Sequence, residues 1–235
     1  MMKKIFLFVL VLFNVSTEAQ TLKYNVGQIF YNSKTITPVI SQYEEYTNRN
    51  FTLLRYQHSF DERWNAFLGY SYFEGWTDFS IHRPYYPNLG ASWGGNGASY
   101  LKITRFSLGV GYDLMKKKGL YCIPTLMLNL QKSRPTNDPE ISDIIDSRTD
   151  PDFAGVIYNT PYYTTQIVPE LGLEFGVVIF KRVDLGLNLS YAFGHKSFQD
   201  LTFEYTYQGV PQPTAKWYSD GTAWFATLGI GFKFW

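Results

Sequence analysis

The chain has almost no cysteine, little charge and no apolar segment long enough to cross a bilayer as a helix. Cys122 is the single cysteine in 235 residues, which excludes an internal disulfide framework. As a lone small apolar residue it reads as a strand position. Charged residues make up 17% of the chain. The apolar run Ile5 to Phe13 has nine residues, well short of the ~20 that a spanning helix needs. No linker and no internal repeat beyond a hairpin unit divides the sequence, so it reads as one domain with large loops.

That short apolar run has a different reading. Lys3 and Lys4 precede it, and Thr17-Glu18-Ala19 follows it as a small-x-small cleavage pattern before Gln20. This is the layout of a secretory leader over residues 1–19, leaving 20–235 as the folded domain. No cysteine follows the cleavage pattern, so a lipoprotein anchor is unsupported there. Loss of Lys3, Lys4 and Glu18 from 21 basic and 20 acidic residues leaves the two signs equal. Bulk charge therefore implies no nucleic-acid partner.

What the chain has in abundance is aromatic residues, at 19%, and glycine, with nineteen each of Tyr, Phe and Gly. Aromatics suit strands, and glycine suits turns and crowded faces. The end of the chain shows the pattern most plainly. Ala226, Leu228, Ile230, Phe232 and Phe234 alternate with Thr227, Gly229, Gly231 and Lys233. Period-two alternation marks a strand with two unlike faces. Eight such segments are predicted, near 22–31, 50–60, 64–76, 99–114, 120–132, 162–180, 183–195 and 222–235. Short turns at 61–63, 115–119 and 181–182 alternate with four long loops. An even count puts both ends on the short-turn side. The expected fold is all-β: an eight-stranded antiparallel up-and-down transmembrane β-barrel with short periplasmic turns and long extracellular loops.

The two faces are distinguishable. In 183–193 the odd positions are Val183, Leu185, Leu187, Leu189, Tyr191 and Phe193, and the even ones are Asp184, Gly186, Asn188, Ser190 and Ala192. The apolar run stands about 25 Å tall at ~3.3 Å per residue and a ~40° tilt, the height of a lipid-facing band. A soluble barrel would turn its polar face outward and fill it with Lys and Glu. Here that face is mostly Gly, Ser, Asn and Thr, which suits the inside of a narrow barrel. Lys23, Arg55, Arg105, Asp113, Glu170, Glu174, Asp184 and Lys233 all fall on it. Glu74 and Lys102 fall on the apolar parity, near loop ends. Tyr24, Phe30, Trp64, Tyr72, Tyr112, Tyr191 and Trp224 are candidates for interfacial girdles.

Four groups of residues are candidate sites. Arg55, Arg105, Glu170 and Glu174 form a lumen charge network, which either lines a narrow conduit for a small or hydrophobic solute or pairs and plugs the barrel. Phe79, Tyr85, Tyr86 and Trp93, set among Gly and Asn, have the composition of a recognition loop. Asp138, Glu140, Asp143, Asp146, Asp150 and Asp152 make an acidic loop without the spacing of a calcium-binding loop, so no metal and no cofactor is implied. His195, Ser197 and Glu204 offer a base, a hydroxyl and an acid. The His-x-Ser pair looks like that of outer-membrane lipid A deacylases, and on strand parity both residues point toward lipid.

Taken together, the leader, eight alternating segments, turn-loop rhythm and aromatic end resemble the small eight-stranded outer-membrane β-barrel family, which includes the OmpA-type transmembrane domain and OmpX-like proteins. That resemblance implies a bacterial outer-membrane location and insertion by the barrel-assembly machinery. It also implies contact with outer-membrane lipid and lipopolysaccharide and a monomeric state. For function it implies a structural or surface-interaction role through the loops; the alternatives are the conduit and a lipid A-modifying hydrolase. Trp235 lies one residue past Phe234 and out of phase with the apolar face, so loss of Trp235 is expected to harm assembly less than loss of Phe234.

Overall fold

A computed structural model describes residues 20–32, 34–36, 42–47, 50–61, 63–82, 99–115, 119–135, 141–145, 153–161, 163–197, 199–207, 209–211 and 214–234. The leader, Tyr85, Tyr86, Trp93 and Trp235 lie outside these residues, as does most of the acidic loop; Phe79 is described only as backbone. The barrel strands are β1 (Gln20–Tyr31), β2 (Asn50–Ser59), β3 (Trp64–His82), β4 (Ser99–Tyr112), β5 (Leu120–Pro135), β6 (Thr164–Ile179), β7 (Val183–Ala192) and β8 (Ala223–Phe234). Each pairs antiparallel with its neighbour in sequence, and β1 pairs with β8 from Gln20↔Phe234 to Tyr31↔Ala223. The ring is closed, so the barrel itself leaves no edge strand for pairing with another chain.

The parity expected from sequence is the observed one. Leu108, Leu126, Leu187, Leu228 and Ile230 point outward, whereas Lys23, Arg55, Arg105, Glu174 and Asp184 are buried in the lumen. Trp64 and Tyr112 pair ring to ring at 5.1 Å at the short-turn rim, and Tyr191 meets Trp224 at 4.8 Å at the loop rim. These are the two aromatic girdles.

The turns are tight. Asp61 Oδ1 accepts from the backbone N–H of Arg63 at 2.6 Å and of Trp64 at 2.7 Å, closing the β2–β3 turn. The Trp64 and Arg63 amides hold its carboxyl below the ordinary carboxylate range. Between β6 and β7, Phe180 and Lys181 adopt φ of 51° and 63°. They are the two central residues of the β-turn Ile179–Arg182, closed by the Arg182 N–H donating to the Ile179 carbonyl at 3.1 Å, and left-handed central residues match the twist of the flanking strands.

The loops depart from the expectation of irregular chain. Strands 34–36, 215–219, 199–207, 153–161 and 141–145 form a second hydrogen-bonded sheet in that order. It draws on the β1–β2, β5–β6 and β7–β8 connections. Residues 42–47 pair with the far end of β3, which extends to His82 rather than stopping near Trp76. Neighbouring loops satisfy one another's backbone groups here, an option that a local reading of proline-bearing segments does not reveal.

Candidate functional site

The lumen is closed by three layers. Nearest the loops is an apolar plug. Ile29, Phe51, Phe73, Ile103, Val168 and Phe225 are buried there. Phe51 meets Phe73 at 5.5 Å and Phe225 at 5.1 Å, both edge-on, the favoured aromatic geometry.

Below the plug lies the first ion layer. Arg105 Nη2 donates to Glu170 Oε2 at 2.6 Å, and its guanidinium lies 4.6 Å from the centre of the Phe225 ring. Glu170 also accepts from the Ser190 hydroxyl at 2.6 Å and from Asn129 Nδ2 at 2.9 Å. Asn129 in turn accepts from the Ser107 hydroxyl. These hydrogen bonds to the Glu170 carboxylate offset part of the desolvation cost of the buried pair.

The second ion layer is nearer the short turns. Lys23 Nζ lies 2.7 Å from Glu174 Oε1 and 2.9 Å from Asp184 Oδ2. Arg55 Nη2 donates to Glu174 Oε2. The Tyr121 hydroxyl donates to Asp184 Oδ1 at 2.6 Å and accepts from Lys23 Nζ at 2.8 Å. Two cations face two carboxylates, so the layer is neutral. Glycine makes room for it: a Cβ on Gly176 would come within 2.0 Å of the Tyr121 hydroxyl, and one on Gly231 within 2.6 Å of Lys23 Cγ.

Arg55 and Glu174 are thus brought together in one layer, and Arg105 and Glu170 in the other. Sequence reasoning put Lys23 and Asp184 on the right face but did not join them to this network, and it missed Tyr121. The signal was available, because Tyr121 shares the inward parity of Ile123 and Thr125. Between the layers remains a gap of about 20 Å³, space for roughly one water. Below the second layer a vestibule of about 550 Å³ opens at the short-turn end, lined by Gln57, Asp61, Asn65, Asp113, Tyr121 and Lys233 among others.

At the loop rim, β7 ends at Ala192, so strand parity no longer governs His195 and Ser197. His195 is exposed. The Ser197 hydroxyl donates to the Asp200 carboxylate. Its carbonyl accepts from the Thr164 hydroxyl at 3.2 Å. Gln166, buried, accepts from the His195 and Lys196 backbone N–H groups and donates to the Asp220 carbonyl at 3.0 Å. Glu204 is exposed on the loop strand 199–207, opposite Val156. The expectation that Ser197 faces lipid is therefore corrected: its hydroxyl is tied into the loop structure, beside a different acid.

The overall architecture has counterparts among solved structures. The outer membrane protein OprG from Pseudomonas aeruginosa aligns over 92% of this chain and 96% of that one, with TM-score 0.55 and 12% identity. The fold is that of a small outer-membrane β-barrel. A major outer membrane protein from Thermus thermophilus aligns over 93% of this chain and 100% of that one, with TM-score 0.51 and 11% identity. No protein-family model and no curated protein sequence matches this chain. A closed barrel of this fold with an uncharged apolar belt belongs in a bilayer, because in water that belt would be an aggregation surface. The location is the bacterial outer membrane, where barrels of this fold turn their short turns to the periplasm and their longer loops outward.

Proposed function

We propose that this outer-membrane β-barrel is a closed, non-conducting platform that presents its loop-built sheet to the exterior, in a structural or surface-interaction role. The observation that carries this reading is the filled lumen: an apolar plug and two neutral ion layers with about 20 Å³ between them. A conduit for ions or small polar solutes needs a continuous polar path, and the plug interrupts it. Purified barrel in planar bilayers is therefore expected to give no reproducible open state. A steady single-channel conductance would overturn the platform reading and favour the conduit.

The recognition loop with Phe79, Tyr85, Tyr86 and Trp93 belongs to this reading as the contacting surface. The leader over 1–19, insertion by the barrel-assembly machinery and a monomeric state complete it. It does not include lipid A hydrolysis. The base this reading assigned to the Ser197 hydroxyl is His195, and the hydroxyl donates instead to the Asp200 carboxylate. Cells carrying His195→Ala are expected to give a lipid A mass spectrum identical to that of wild type. A missing acyl chain in wild type that is restored in the variant would revive the hydrolase.

A further inference from the structure

The vestibule at the short-turn end carries groups that the two ion layers do not use. Its floor is the Tyr121–Asp184 contact of the second layer. One wall is apolar, built of Tyr121, Ile123 and Val178. The wall on β2 and β3 is polar. There Asn65 Oδ1 accepts from Gln57 Nε2 at 2.9 Å and from the Ser59 hydroxyl at 2.8 Å, and Asn65 Nδ2 donates to the Arg63 carbonyl at 2.9 Å. Gln57 is 8% exposed, and its Oε1 has no donor among the described residues. A buried acceptor without a donor is costly, so this wall is complete except for one N–H.

The charges of the vestibule are incomplete as well. Asp184 is held by Lys23 and Tyr121. Asp61 and Asp113 each use Oδ1 on backbone N–H groups of their turns, and Oδ2 of neither has a partner among the described residues. The Asp113 N–H donates to the Arg63 carbonyl at 2.8 Å, which sets the two carboxylates on the same side of the mouth. Lys233, inward on β8 and half-buried, has no carboxylate partner among the described residues. In a ring of eight, β8 and β4 are four strands apart in either direction, so Lys233 and Asp113 face each other across the mouth. With strands ~4.8 Å apart and tilted ~40°, their backbones stand roughly 16 Å apart. The two side chains together reach across about half of that. A ligand that bridges them carries its two charges several ångströms apart. At ~3.5 Å per residue, that separation suits the termini of an extended dipeptide and exceeds that of a single amino acid.

We propose that the vestibule is a binding site for a short apolar peptide with free termini, entering from the periplasmic side. The peptide carboxylate pairs with Lys233 beside the Thr21 hydroxyl, its cross-strand neighbour. The ammonium pairs with Asp113 and Asp61, and the peptide N–H supplies the donor that Gln57 Oε1 lacks. The apolar side chains lie on Tyr121, Ile123 and Val178. A cavity of about 550 Å³ is of the size of small-molecule sites, and capture of peptide termini is a recurring mode of recognition. The proposal rests on the floor of the vestibule and on its opening at the short turns, and not on the platform role of the loops.

The test uses the folded barrel in lipid nanodiscs, titrated by calorimetry with dileucine, N-acetyl-dileucine, dileucine amide and free leucine. Wild type is expected to bind dileucine, and each capped form about tenfold more weakly, because each lacks one charge-assisted contact. Lys233→Gln is expected to weaken dileucine by about the same factor and to leave the amide, which has no carboxylate to lose, unchanged. Asp61→Asn/Asp113→Asn is expected to weaken dileucine and to leave the acetylated form unchanged. Its amide oxygens still accept from the turn backbone, so the fold is expected to survive, and a heat-dependent gel shift checks this for each variant. The charge-keeping Lys233→Arg is expected to bind as wild type does. No binding of dileucine by wild type at millimolar concentration overturns the proposal whatever the variants do. So do capped peptides or free leucine that bind wild type as tightly as dileucine, and so does a folded variant that weakens dileucine and its matching capped form alike. None of these results bears on the conductance measurement, so the two readings fail separately.

Discussion

Glu174→Ala is expected to destabilise the barrel by about 3–5 kcal/mol, the range for breaking a buried ion pair by removing one partner. Glu174 is the only carboxylate that touches Arg55 among the described ion pairs, and it shares Lys23 with Asp184. Its removal strands a buried guanidinium against the Phe67 ring, which lies 5.0 Å away. Glu174→Gln keeps the shape and part of the hydrogen bonding, so its loss should be smaller. The companion variant Arg55→Met/Glu174→Met removes both charges and is expected to recover most of the stability, because a packed apolar pair often replaces a buried ion pair without loss. Equilibrium unfolding in urea from lipid vesicles, followed by tryptophan fluorescence, measures all three. If the alanine variant unfolds at the wild-type midpoint, the layer is hydrated and the lumen is not closed as described.

Leu228→Arg addresses the outer wall with an effect of similar size. Leu228 lies mid-strand on β8, opposite Val26 and Leu187, and is 65% exposed. On a barrel in water an arginine there would be tolerated or welcome. On a barrel in lipid it is expected to cost about 2–4 kcal/mol, falling toward zero at the boundaries. An arginine at Phe30, near the loop rim, should accordingly be milder. The same unfolding assay in vesicles reads the difference, and equal tolerance at both positions would contradict the position of the apolar band.

Much of this was legible because a strand side chain has only two directions. Asp184, Glu174 and Arg105 could be assigned to the lumen from the parity of their leucine neighbours alone. Pairing was harder. Lys23 and Glu174 are 151 positions apart in the chain, and parity says nothing about height or about which strand faces which across a lumen. The loop sheet was invisible from local pattern, because strands 153–161 and 199–207 gain their order from each other. His195 and Ser197 show the limit of the same rule. Alternation predicts direction only while the ladder lasts, and it stops at Ala192.

The reach of Lys23 also bears on how the chain assembles. The lysine leaves β1, passes over Gly231 of β8 and ends on carboxylates of β6 and β7. The first strand made is thereby held by the last three, across the seam where the ring closes. Contacts between such distant parts of a chain form late, after nearer ones have reduced the entropy of closing so long a loop. A ribbon of eight strands not yet joined end to end would carry a lysine without its carboxylates, and it would remain easy to extend or unzip. Closure supplies the counter-charges at one stroke. The seam then opens only by parting hydrogen-bonded backbone and stranding a charge together, which makes Lys23 a clasp on the finished cylinder.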